Sequence, residues 1–94
     1  MRSLYYGDIS CAARVLLGVP QEERWALCQM LIAETDTADR FFRRSGKLHP
    51  VYGNGTLRAA ALRRQPGAEP TFDSADYRAC FIEVLGQLDQ RGEG

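Results

Sequence analysis

The sequence predicts an all-α fold, a small irregular bundle of about four helices with a long central second helix. Three observations carry that expectation. Apolar residues recur at i, i+3, i+4 and i+7 over four separate stretches. Glycine and proline punctuate the chain between those stretches, and no alternation of strand period lasts more than a few residues.

The first helix is expected from about Asp8 to Leu17. Asp8 is suited to the N-cap, where its carboxylate accepts from the unpaired N–H groups of the first turn. Ile9, Ala12, Ala13, Leu16 and Leu17 make the apolar stripe, and Gly18 is the stop. The second helix is expected to carry Pro20 in its first turn, where the missing N–H costs nothing, and to run to about Ser45, with Glu22 and Glu23 at its positive end and Arg43 and Arg44 at its negative end. Leu27, Leu31, Ala38, Phe41 and Phe42 form one face. Trp25, Cys28, Met30 and Ile32 make its N-terminal half apolar nearly all round, which predicts packing on more than one side. Thr35-Asp36-Thr37 are poor helix formers and mark a candidate kink.

A loop follows over 46–55, in which Pro50 turns His49 away from helix and Gly53 and Gly55 flank Asn54. Thr56 or Asn54 then caps a short third helix reaching to about Arg64, with Leu57, Ala60 and Ala61 on its apolar face. Pro66-Gly67 ends it, and residues 65–71 form a second loop. The fourth helix is expected with Asp73 as N-cap, Asp76 at N3 and Phe72 stapled to Tyr77. Its stripe is Tyr77, Cys80, Phe81, Val84, Leu85 and Leu88.

Ninety-four residues fit one domain, 1–94, with 1–7 and 92–94 expected to be flexible ends. Apolar content of 45% and charged content of 26% are ordinary for a globular chain. No run approaches the roughly 20 apolar residues of a membrane span, and the N-terminus lacks the features of a secretory signal. Cys11, Cys28 and Cys80 are an odd number, without C-x-x-C spacing, each in an apolar helical segment. A reduced, cytoplasmic protein is expected. The Arg- and Ala-rich usage resembles that of a GC-rich bacterial genome.

Charge is segregated although 12 Lys and Arg balance 12 Asp and Glu. Arg40, Arg43, Arg44, Lys47, Arg58, Arg63 and Arg64 fall in residues 40–65 with no acid among them. One reading is a basic contact surface for an acidic protein or for nucleic-acid phosphate. The other is a face paired internally by the acidic flanks, with the arginines serving helix C-termini. The pI of about 6.6 disfavours a dedicated nucleic-acid binder.

Candidate chemistry is sparse. Gly53-Asn54-Gly55-Thr56 opens a helix and suits an anion, with His49, Tyr52, Asn54 and Arg58 able to converge there. It has no preceding strand and no Lys-Ser/Thr ending, so an ordinary turn and cap is the simpler reading. One histidine and three dispersed cysteines make no zinc pattern, and no cofactor is expected. Cysteines on a core face are more often packing than nucleophiles, so catalysis is not expected. A helix-turn-helix placing the second helix on DNA would present Gln21, Glu22 and Glu23 to phosphate, the wrong charge. A version that reads with the third helix, through Arg58, Arg63 and Gln65, stays open. Trp25, Phe41, Phe42, Tyr77 and Phe81 suit a core better than a groove. Leu4-Tyr5-Tyr6 either folds back over the bundle or lies in a homo-oligomer interface.

The leading functional expectation is a non-enzymatic protein–protein interaction or regulatory adaptor. Its surface would be Arg40, Arg43, Arg44, Lys47, His49, Tyr52, Asn54, Arg58, Arg63 and Arg64. The alternative is a nucleic-acid-binding regulator using the same strip.

Overall fold

The computed structural model describes residues 2–92; Met1, Glu93 and Gly94, which belong to the two ends expected to be flexible, lie outside the described residues. Four helices and no strand occur among the described residues: α1 Tyr6–Leu17, α2 Gln21–Ser45, α3 Leu57–Leu62 and α4 Ala75–Gly92. The expected all-α bundle is therefore the observed fold.

α1 starts two residues before Asp8. Tyr5 is the N-cap, and Asp8 sits at N3, reaching back to accept the Tyr5 N–H at 2.8 Å. The expectation of Asp8 as N-cap is thus corrected: the carboxylate serves the same orphan donors from inside the helix. Ile9, Cys11, Ala12, Ala13, Val15 and Leu16 are all buried, so α1 is enclosed nearly all round by α2, α3 and α4. α1 and α3 pack on each other, and each contributes fully buried alanines, Ala12 with Ala13 and Ala60 with Ala61. Without larger side chains between them the two backbones can lie close. Leu16, Leu31 and Leu57 are buried almost completely, each stabilising by about 2–3 kcal/mol.

α2 is the long helix and touches the other three. Its N-terminal half is nonetheless not covered on every side. Trp25 is 60% exposed and Met30 51%, so the all-round packing expected of that half is corrected. The helix has more apolar circumference than three neighbours can cover. Thr35-Asp36-Thr37 causes no break, because the Thr35 and Thr37 hydroxyls donate to the Leu31 and Ala33 carbonyls one turn earlier. Gly46 closes the helix with φ 72° and an N–H donated to the Phe42 carbonyl.

α4 begins after Ser74, whose hydroxyl accepts the Tyr77 N–H at 3.2 Å. Asp73, expected as the cap, instead pairs with Thr71 in the turn before. Phe72 and Tyr77 do pack, with rings stacked at 5.2 Å, but with Ser74 as the cap they stand at N″ and N3, one position off the staple register expected from Asp73. Tyr77, Cys80 and Val84 are fully buried, but Leu85 is 46% exposed and Gln87 takes the next inward position. The Gln87 amide donates to the Trp25 carbonyl and Glu83 and accepts from Gln29, so its burial leaves no polar group unsatisfied. Arg91, near the end of α4, is held to Asp36 of α2.

Candidate functional site

The segment between α2 and α3 is built by short-range hydrogen bonds. His49 and Gly53 exchange backbone bonds in an isolated antiparallel bridge. His49 Nδ1 accepts the N–H groups of Val51 and Tyr52, each at 3.0 Å. Accepting there requires an unprotonated Nδ1, so the proton of the neutral ring is assigned to Nε2. The imidazole stacks on Tyr52 at 4.8 Å and meets the Phe41 ring edge-on at 5.2 Å. His49 therefore organises the loop.

Gly55, at φ 87°, lies against α2 so closely that a Cβ would sit 2.9 Å from the Asp39 Cα. Only glycine satisfies both demands. Asn54 Oδ1 accepts from the Thr56 N–H and hydroxyl, and the Thr56 hydroxyl oxygen in turn accepts the Ala59 N–H at 3.1 Å. The next free donor of α3, the Arg58 N–H, goes to Asp8 Oδ1 at 2.8 Å. A carboxylate of the chain itself, 4% exposed, thus stands where an anion would be bound.

The basic strip divides into paired and unpaired members. Glu34, buried on α2, grips Arg64 with two bonds of 2.6 and 2.7 Å and reaches Arg63 at 3.4 Å. The Arg64 guanidinium, chiefly, holds the Glu34 carboxyl below its ordinary range against the opposing effect of burial. Arg63 also lies over the Tyr52 ring at 5.3 Å. Arg43 pairs with Asp39 one turn earlier at 3.1 Å while remaining 68% exposed. Arg40, Arg44, Lys47 and Arg58 are exposed and have no acidic partner among the described residues. Of the ten residues expected to form the surface, these four and Arg43 present charge outward. His49, Tyr52, Asn54, Arg63 and Arg64 hold the loop and α3 in place.

Arg2 joins this end, a residue the sequence reading did not include. Its guanidinium lies over the Phe42 ring at 4.3 Å. It lines an open groove with Ser3, Tyr5, Arg43 and Thr56, and Tyr5 and Thr56 also line a second groove with Gly7, Asp8, Asn54 and Arg58. No local signal marks Arg2, because its neighbours come from positions some forty residues away.

A second polar cluster also escaped the sequence reading. Glu69, in the loop before α4, accepts from the hydroxyls of Tyr6, Ser10 and Tyr77, and Tyr77 also donates to Ser10 at 3.0 Å. The Tyr6 hydroxyl, with Ser10 next, holds the Glu69 carboxyl below its usual range. The cluster ties that loop to α1 and α4. A carboxylate so well solvated by donors is a weak base and offers little to catalysis.

Cys11, Cys28 and Cys80 are buried free thiols. Burial pushes the Cys28 thiol up to about 12 and raises Cys80 as well, so neither supplies thiolate near neutrality. Among the described residues no group of three His, Cys, Asp or Glu side chains is placed to hold a metal. No helix there is long and apolar enough to cross a membrane.

The model of a family described as a domain of unknown function (DUF7742) matches residues 2–88, and the chain belongs to that family. No curated protein and no solved structure matches it.

Proposed function

We propose that this member of the DUF7742 family is a non-enzymatic interaction module that docks an acidic segment of a protein partner on its basic end. One observation carries the reading. Arg40, Arg44, Lys47 and Arg58 are exposed without acidic partners among the described residues, Arg43 between them in sequence lines a groove with Arg2, and Arg58 lines the adjoining one, in a chain of zero net charge. Cations left unpaired while Glu34 and Asp39 engage their neighbours are available to an external carboxylate. The filled α3 N-terminus supports side-chain contact over a phosphate cradle. Three buried thiols are consistent with action in a reducing cytoplasm.

Affinity capture from cell extract at low salt, followed by identification of the retained protein, tests this. Replacing Arg40, Arg44, Lys47 and Arg58 by Gln should abolish retention with only a small fall in melting temperature, since all four side chains are exposed and only Arg44 lies in the last turn of α2. Retention by the substituted variant would remove the surface from consideration. The same cations also suit nucleic acid, and salt-titrated fluorescence anisotropy separates the two. Affinity for duplex or single strands that falls steeply with salt would replace the protein partner by a nucleic acid.

A further inference from the structure

We propose that two copies of this chain associate through α4, antiparallel about a two-fold axis, along the stripe Arg78, Ile82, Leu85 and Asp89. These four positions fall within about 60° of arc at 100° per residue and span about 16 Å of helix. All four are exposed, Ile82 at 67% and Leu85 at 46%, on the side of α4 turned from Tyr77, Cys80 and Val84. Ile82 and Leu85 are the exposed large apolar residues of the helix among the described residues, bracketed by the cation Arg78 and the anion Asp89.

The order of charges selects a second copy as the occupant. A two-fold axis makes an interface meet itself, so the patch must be its own complement. The midpoint between 82 and 85 is also the midpoint between 78 and 89. An antiparallel pair centred there sets Ile82 against Leu85 of the second copy and Arg78 against Asp89 of the second copy, each contact twice. Parallel pairing would set Arg78 against Arg78 and Asp89 against Asp89. Within one chain Arg78 donates from Nη1 to the Phe72 carbonyl at 2.6 Å and keeps its other guanidinium donors outward, whereas Asp89, in the last turn, opposes the helix dipole and has no cation partner among the described residues.

The flank of α4 extends the surface. Leu4, Tyr6, Ile9, Leu85 and Leu88 line an open groove that runs to Asp89, and Leu4 and Tyr6 are 41% and 55% exposed. Under the two-fold, Ile82 of the second copy sits beside this groove. Leu4 and Tyr6 would thus be covered by association, which is distinct from docking at the basic end.

Sedimentation velocity of the full chain, from micromolar to millimolar, is the test. A reversible monomer–dimer equilibrium is expected that weakens as salt rises, because two ion pairs are screened. Ile82→Glu should be monomeric throughout and fully helical by circular dichroism, as its side chain is exposed in the monomer. Asp89→Arg turns both pairs into repulsions; it should weaken association on the order of tenfold, and its residual dimer should tighten with added salt. A monomer at every concentration, a dimer indifferent to Ile82→Glu, or a dimer that tightens with salt in the unaltered chain would overturn the proposal.

Discussion

The carboxylate of Asp8 accepts the backbone N–H of Arg58 at 2.8 Å, joining the first turn of α1 to the first turn of α3 across 50 positions of sequence. Its other oxygen accepts the Tyr5 N–H at the same distance, so one buried side chain closes two helix N-termini. Replacement by Ala strands both donors and should cost about 3 kcal/mol. Asp8→Asn should lose most of that, because its amide NH2 must face one of the two N–H groups. Urea unfolding measures both, and a loss below about 1 kcal/mol for Asp8→Ala would contradict the double cap.

Glu34 makes stability depend on acid. Its folded carboxyl is held low by Arg64, whereas the unfolded one titrates near 4.3, so between the two values the unfolded chain binds more protons. The contribution is present above about 4.3 and is lost as pH falls through the folded value. Urea midpoints measured from neutral pH down to pH 3 should drop more steeply for the unaltered chain than for Glu34→Gln. Parallel curves would show that the Arg64 pair contributes nothing to folding.

The thiols give the opposite dependence. Cys28 titrates at about 12 when folded and about 8.5 when unfolded, so stability should fall as pH rises between those values. Near neutrality a thiol reagent should label none of the three cysteines until urea is added, and then all three. Fast labelling of Cys28 in the native protein would be incompatible with its 1% exposure.

Two glycines should respond in opposite directions to alanine. Gly55→Ala meets the Asp39 backbone in a left-handed conformation and should cost at least about 2 kcal/mol. Gly86, inside α4, has open space where a Cβ would go, and Gly86→Ala should add about 0.5–1 kcal/mol. Thermal melts of the pair check both signs.

Much of the fold is legible in the sequence because it is local. The ends of α2 follow from Pro20 and Gly46, and the buried face of α3 is the Leu57, Ala60 and Ala61 face that periodicity selects. Where the reading slipped, it slipped by a turn or a neighbour. Ser74 caps α4 rather than its neighbour Asp73, a residue of similar cap propensity, and Asp8 serves α1 from N3. Gln87 is inside and Leu85 outside because Gln29 and the Trp25 carbonyl, both on α2, satisfy the amide.

The candidate surface was only half legible. The run of cations from Arg40 to Arg64 is plain in the sequence, but which of them stay available depends on Glu34 and Asp39 of α2. The sequence by itself determined four helices, their approximate ends and the segregation of charge, since periodicity, caps and composition act within a few residues. Tertiary structure alone decided that Asp8 fills the α3 N-terminus, that Glu34 takes up Arg63 and Arg64, and that Arg2 joins the basic end. Those outcomes require side chains from different helices to meet within hydrogen-bonding or van der Waals distance. Such meetings depend on how the helices pack, which one-dimensional spacing does not contain.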